Sequence, residues 1–208
     1  MITYGETSEM FLKLQLQVSG VFNRFNATAA ATAARELGVP RGVIEKALGE
    51  FKGIWRRFEI VGEHVGATII SDYGHHPTAI RETMKAAREQ YPDRRLVLVF
   101  QPHQHSRTKH LFNDFVEVLK NAADLVIVSE IYAVKGRMED RDVSSQDIAE
   151  AIKRTPPSGG APPLGGVLYG GDLKETKRIV LAQIKPGDVV IFMGAGDIDS
   201  LARELVIK

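Results

Sequence analysis

Cysteine is absent from the chain. That excludes disulfides, thiolate zinc sites, iron–sulfur clusters and cysteine nucleophiles, and it fits a reducing compartment. No apolar run approaches the roughly 20 residues that span a bilayer. The opening Met1-Ile2-Thr3-Tyr4 has no basic stretch leading into an apolar core, so no secretory signal is read there and the expected location is the cytoplasm. Neither sign of charge is in excess: 27 Lys and Arg against 26 Asp and Glu give a net charge of +1. With that balance neither nucleic acid nor a membrane surface is expected as a partner. Two chemical signatures are lacking as well. There is no Gly-x-x-x-x-Gly-Lys-Ser/Thr loop to cradle nucleotide phosphates and no Gly-x-Ser-x-Gly nucleophile elbow.

What is present is a globular composition, 44% hydrophobic and 25% charged over 208 residues, enough for one domain and part of another. Phe11 to Val18 alternates apolar and polar side chains, the period of a half-buried strand. Asn26 to Leu37 is rich in small helix formers and stops at Gly38 and Pro40, and a second short helix covers about Arg41 to Phe51. From Trp55 onward the rhythm changes. Arg57 to Gly62 and Ala67 to Ser71 read as strands around a turn at Gly66. A helix after Pro77 carries Ile80, Met84, Ala87 and Tyr91 on one face. Leu96 to Phe100, Leu125 to Val128 and Val189 to Met193 are continuous apolar runs, as for strands covered on both faces. Helices are expected over Ser106 to Lys120, from Ser144-Ser145-Gln146-Asp147 onward, over Asp172 to Ile184 and over Ser200 to Val206, and the Pro/Gly-rich stretch 156–166 as a loop. The fold class expected is α/β, a Rossmann-like, mostly parallel sheet with helices on both faces. Residues 1–52 stand outside that repeat and read as the end of another domain, with 53–208 as the complete one.

In such a sheet, ligands bind where strands end and turn into helices. Three segments at such positions carry more polar residues than a turn needs: Ser71-Asp72-Tyr73-Gly74-His75-His76-Pro77-Thr78, Gln101-Pro102-His103-Gln104-His105-Ser106-Arg107-Thr108, and Gly194-Ala195-Gly196-Asp197. Four of the six histidines fall in the first two. Plainer roles exist for each. Asp72 fits a helix cap. Arg57 and Glu59 fit an exposed ion pair worth under about 1 kcal/mol. The glycines of the third segment fit close backbone packing. Asn23 and Asn26 share a helix face, and capping accounts for one of them.

Phe51-Lys52-Gly53-Ile54-Trp55-Arg56-Arg57-Phe58-Glu59, Asp72-Tyr73-Gly74-His75-His76-Pro77-Thr78, Phe100-Gln101-Pro102-His103 with Ser106-Arg107-Thr108, and Met193-Gly194-Ala195-Gly196-Asp197-Ile198, in this order, resemble the C-terminal part of a Mur ligase. Tyr73-Gly74 before the His pair, with the Gln-Pro-His and Gly-Ala-Gly-Asp patterns, sides with the alanine-adding members rather than with those that attach recycled tripeptide. The resemblance implies an ATP-dependent ligase of bacterial peptidoglycan synthesis that joins L-alanine to UDP-N-acetylmuramate through an acyl phosphate. It implies that 1–52 are a remnant of the central ATP-binding domain and 53–208 the amino-acid-binding domain. It further implies that Asn23 and Asn26 contact adenine, and that Arg57 and Asp72 reach the nucleotide phosphates and ribose. Tyr73, His75, His76, His103 and Arg107 then surround the amino acid and acyl phosphate, with His75, His76 and Asp72 as the candidates for proton transfer. ATP and Mg2+ are implied as cofactors, held mainly by a central domain. Without a phosphate cradle the chain is expected to be inactive alone, with N-terminal Mur domains as complementing partners. Two positions depart from the family pattern: Phe22 where His is usual, and Ser71 where a second Asp is common.

Other readings use the same residues. His75, His76, His103 and His105 beside Asp72 have the chemistry of a zinc or manganese hydrolase. A tripeptide-adding ligase or a non-catalytic binding module of the same fold are the further alternatives.

Overall fold

The structure is a computed structural model that describes residues 15–134, 136, 142–154 and 166–206. The chain divides into two compact units, Met1–Ile54 and Trp55–Lys208.

The first unit pairs α1 (Val21–Glu36) with α2 (Arg41–Glu50). Ala27, Ala31 and Ile44 are buried between them, with Leu16, Val39 and Leu48 packed around. Thr28 and Thr32 are buried too, each returning its hydroxyl to the carbonyl four residues back. This lets polar residues sit on the helix's inner face. The helix begins at Val21, ahead of the expected Asn26, because Gly20 at φ 97° breaks the chain there. Of the expected strand at Phe11–Val18, residues 11–14 lie outside the described residues and 15–18 carry no strand.

The second unit is built on β1 (Glu59–His64), β2 (Ala67–Asp72), β3 (Leu96–Phe100), β4 (Leu125–Ser129), β5 (Val167–Gly171) and β6 (Val189–Met193). The sheet order is β1-β2-β6-β3-β4-β5. β1 pairs with β2 antiparallel, and every other pair is parallel. β5 is a strand that the sequence pattern does not announce.

Around the sheet lie α3 (Pro77–Gln90), α4 (His105–His110), α5 (Phe112–Leu119), α6 (Ser145–Arg154), α7 (Leu173–Gln183) and α8 (Ile198–Val206). The expected helix over Ser106 to Lys120 is two helices, broken at Leu111 (φ −103°, ψ 18°). The expected loop at 156–165 lies outside the described residues.

Strand alternation sorts the core into two layers. Leu96, Leu98 and Phe100 face α3, α5 and α6, which supply Ile80, Met84, Phe115, Leu119, Ile148 and Ile152. Val97 and Val99 face α7 and α8, which supply Val180, Ile198, Leu201 and Leu205. β3, β4 and β6 are buried along their whole length, which is why they read as unbroken apolar runs. At the amino ends of the strands, Asp124 accepts from the Leu96 N–H at 2.7 Å and pairs with Arg88, and Asp188 accepts from the Lys185 N–H and pairs with Arg95. The opposite edge carries the site.

Candidate active site

β2, β6 and β3 are neighbours in register, so their carboxyl ends stand side by side, about 5 Å apart per strand. From there β2 runs into α3 on one face and β6 into α8 on the other. This is the switch point at which open α/β sheets form a ligand crevice. The three polar segments singled out in the sequence converge at this edge.

Asp72 closes β2 and is 4% exposed. Its Oδ1 accepts from the Gly74 N–H at 2.7 Å and its Oδ2 from the Phe58 N–H at 2.9 Å. Both oxygens therefore hold backbone, and Asp72 is not the cap of the next helix. Burial pushes its carboxyl above the ordinary carboxylate value, against those two hydrogen bonds and the nearby Arg57 and Arg56 charges. The cap of α3 is His76, whose Nδ1 accepts from the Thr78 N–H at 3.3 Å, while Pro77 opens the first turn. Gly74 has room for no side chain, since a Cβ there would meet Met193 Cε at 2.2 Å and Asp72 Oδ1 at 2.8 Å.

Two adjacent arginines divide their roles. Arg56 is 7% exposed and donates to the carbonyls of Gly194 and Gly196, the second at 3.0 Å. Its guanidinium lies 4.9 Å from the Tyr73 ring and its carbonyl accepts from the Tyr73 N–H at 2.7 Å. Its Nε is buried with no hydrogen-bond partner among the described residues. Arg57 is exposed, with its guanidinium 5.5 Å from the centroid of the same Tyr73 ring. Arg56 and Phe58 hold φ of 55° and 49°, left-handed values that cost a non-glycine residue about 1–2 kcal/mol each. Hydrogen bonds of the Arg56 N–H to Glu59 and of the Phe58 N–H to Asp72 hold that conformation. Glu59 pairs with Arg203 at 2.7 Å, not with Arg57 as the sequence allowed. Arg203 also binds Asp199, which accepts from the Ser71 hydroxyl at 2.6 Å. Ser71 is thus tied behind the site rather than facing it.

The imidazoles form a row. The Tyr73 and His75 rings meet edge to face at 5.6 Å, His75 and His103 lie 5.6 Å apart, and His103 stacks on Tyr132 at 5.4 Å and 19°. Arg107, on the first turn of α4, reaches His103 Nδ1 at 3.3 Å. His75 Nδ1 lies 3.1 Å from the Tyr73 carbonyl. A carbonyl only accepts, so Nδ1 carries the proton and Nε2 keeps its lone pair in the neutral ring. Burial, with the charges of Arg107, His76 and Arg57, holds this imidazole below its ordinary value, and the Tyr73 carbonyl opposes them. His105 turns away, its Nδ1 3.0 Å from the Val143 carbonyl.

The third segment closes the crevice. Gln101, 4% exposed, donates to Asp197 at 2.8 Å and accepts from the Ile198 N–H. A Cβ on Gly196 would stand 2.5 Å from both Gln101 Oε1 and Tyr132 Cγ, so close packing accounts for the Gly-Ala-Gly pattern.

The structure thus brings together Arg57, Tyr73, His75, His103 and Arg107, with Asp72 beneath them as a buried tie and His76 as a cap. Asn23 and Asn26 belong to the first unit. Asn23 donates to the Ser19 carbonyl at 2.7 Å, the cap residue Gly20 makes no side-chain bond, and Asn26 is exposed. Arg56, Gln101 and Tyr132 escaped the sequence reading as site residues. Arg56 and Gln101 lie inside the motifs that were singled out, and the signal for Tyr132 was its place just beyond a buried strand. The four histidines do not gather on one point, and among the described residues no group of three or more His, Cys, Asp or Glu is placed to hold a metal ion. No helix among the described residues is long and apolar enough to cross a membrane.

Residues 56–196 match the family described as Mur ligase, glutamate ligase domain. A UDP-N-acetylmuramate–L-alanine ligase from Acidithiobacillus ferrooxidans is 40% identical over 194 residues, covering 93% of this chain and 40% of that protein. The crystal structure of a UDP-N-acetylmuramate–alanine ligase from Thermotoga maritima superimposes with a TM-score of 0.73 at 29% identity, over 93% of this chain and 39% of that one. A further Mur ligase from Thermotoga maritima, crystallised in complex with ADP, shares the fold with a TM-score of 0.57 at 20% identity, over 90% of this chain and 39% of that one. The chain spans about 40% of the length of the curated relatives it matches. With two thirds of its residues inside the matched domain, the chain belongs to the Mur ligase family.

Proposed function

We propose that this chain supplies the amino-acid side of an ATP-dependent ligase that joins L-alanine to UDP-N-acetylmuramate in the cytoplasm, a step of peptidoglycan synthesis. The observation that carries the reading is the convergence of Arg57, Tyr73, His75, His103 and Arg107 at the carboxyl ends of β2 and β3, with a neutral imidazole at the centre. The reaction makes an acyl phosphate from a carboxylate and ATP. An amine then attacks that carbonyl, phosphate leaves, and the amine proton must be taken up. Arg57 and Arg107 are cations on either side of the imidazole row. One suits the phosphoryl oxygens and the other the carboxylate of the amino acid, since a guanidinium donates two parallel hydrogen bonds to either. His75 Nε2 has the lone pair to receive the amine proton. The Tyr73 ring lies within reach of both Arg57 and His75.

In the same reading, residues 1–52 are the end of a central ATP-binding domain, Asn23 and Asn26 face adenine, and the phosphate cradle comes from a segment outside these 208 residues. Magnesium, bound with the nucleotide phosphates, is assigned there as well, since that ion takes phosphate oxygens and waters together with one or two protein ligands. The 208 residues alone therefore perform no ligation, and complementing N-terminal Mur domains restore it. The test is alanine-dependent phosphate release from ATP and UDP-N-acetylmuramate with those domains supplied in cis or in trans. Activity that Arg57→Met and Arg107→Met each lower on the order of 100-fold supports the reading. Ligation by the 208 residues alone, or a reconstituted enzyme indifferent to both substitutions, sinks it.

A further inference from the structure

Tyr132 belongs to none of the motifs, yet it stands at the end of the imidazole row. Its backbone brackets the loop that bears His103: the Tyr132 N–H donates to the Pro102 carbonyl at 2.8 Å, and the Gln104 N–H donates to the Tyr132 carbonyl at 2.9 Å. These two bonds make an isolated parallel bridge between His103 and Tyr132 beyond the end of the β3–β4 pairing. On one side the Tyr132 ring stacks on His103 at 5.4 Å and 19°. Near it runs the backbone of Gly196, where a Cβ would stand 2.5 Å from Tyr132 Cγ and 2.6 Å from Cδ2. The turn at Gly196 is itself held by the buried Arg56 guanidinium and by Gln101. The Gly196 backbone and the His103 imidazole both pack against the Tyr132 ring.

We propose that Tyr132 is a positioning residue that sets the plane of the His103 imidazole, and through it the Arg107 guanidinium, and so tunes how tightly the amino acid is held. His103 lies on a loop, between the end of β3 and the start of α4, where no ladder of strand or helix bonds orients it. Its ring lies against His75, at a tilt of 47°, and against Tyr132, near parallel. The near-parallel contact lays the two ring planes together. Arg107 Nη1 then meets His103 Nδ1 at 3.3 Å, so a turn of the imidazole displaces the guanidinium. The effect on amino-acid binding rests on the ligase reading above, whereas the control of the His103 plane does not.

The experiment has two arms. In the 208-residue chain, two-dimensional NMR of the His103 ring protons is recorded for wild type, Tyr132→Phe and Tyr132→Leu. Wild type and Tyr132→Phe are expected to show ring-to-ring nuclear Overhauser effects and matching upfield His103 shifts, which Tyr132→Leu abolishes while β6 amides stay in place. Absence of the Overhauser effects in wild type overturns the proposal without any variant having to fold. Unmoved His103 signals in Tyr132→Leu overturn it too. In the second arm, with the N-terminal domains supplied, Tyr132→Leu is expected to raise KM for alanine about 3- to 10-fold, the worth of a ring pair. KM for ATP stays unchanged and Tyr132→Phe restores wild-type values. An unchanged KM for alanine overturns the link to amino-acid binding. If wild type shows no alanine-dependent turnover, the ligase reading falls while the NMR arm still decides the role of Tyr132.

Discussion

Arg56 and Arg57 are the same residue type at neighbouring positions, and their substitution by Met separates framework from chemistry. Arg56→Met keeps most of the buried volume and deletes the donors to the Gly194 and Gly196 carbonyls. A buried acceptor left without its donor costs about 1–3 kcal/mol, and loss of the cation over the Tyr73 ring adds about 0.5–2 kcal/mol. Relief from burying a guanidinium offsets part of this. The expected net loss is about 2–5 kcal/mol, which for a unit of this size lowers the melting temperature by about 5–15 °C. Arg57→Met removes an exposed side chain and is expected to stay within about 0.5 kcal/mol of wild type. In the reconstituted ligase the same change should cost on the order of 100-fold in kcat/KM, the usual loss for one donor to a developing anion. Differential scanning calorimetry of the two variants beside wild type makes the comparison. Arg56→Met melting within about 2 °C of wild type, or Arg57→Met falling as far as Arg56→Met, would refute the division of roles.

Three further outcomes follow from the same geometry. Burial raises the Asp72 carboxyl, so its contribution to stability is fully present below the unfolded value of about 3.9 and is lost as pH rises through the higher folded value. Melting curves of Asp72→Asn, which cannot titrate, should gain on wild type as pH rises from about 4 to about 7, and the opposite trend contradicts the assignment. His75→Gln should lower ligation at least about 100-fold and flatten the acid limb, which in wild type falls below the ordinary imidazole value of 6.5, as read from a pH–rate profile. Gly196→Ala places a methyl 2.5 Å from Gln101 and Tyr132, and urea unfolding should report a loss of about 1–3 kcal/mol.

Much of the fold was legible because burial on both faces leaves a plain mark. Leu96 to Phe100, Leu125 to Val128 and Val189 to Met193 are strands as read. β5 escaped because Val167-Leu168-Tyr169 is short and runs into Gly170 and Gly171, which read as a turn. Gly170 is glycine because a Cβ would press on Thr176 Oγ1 at 2.7 Å and Ile127, a contact no local pattern announces. The break at Leu111 was hidden because Leu111 and Phe112 continue an apolar helical spacing. At the site, residue types were visible and their occupation was not. Asp72 and His76 have the chemistry of proton carriers, but backbone N–H groups already claim the Asp72 oxygens and the His76 Nδ1. Arg56 and Arg57 differ only in which backbone lies within reach, and that is decided by a loop 138 residues further along the chain.

The place of β6 has a consequence for how the molecule forms. β2 and β3, early in the unit, do not touch as a pair; the strand that joins them is the last in the sequence. Until it slots in, two strands destined for full burial present bare edges to each other and to other chains, the situation that invites misassociation. Joining segments so distant in sequence also makes for slow folding. The crevice comes into being in that same event, since its three loops leave β2, β6 and β3. Nascent molecules therefore acquire a binding site and a closed core together, and a partly folded one offers ligands nothing to hold.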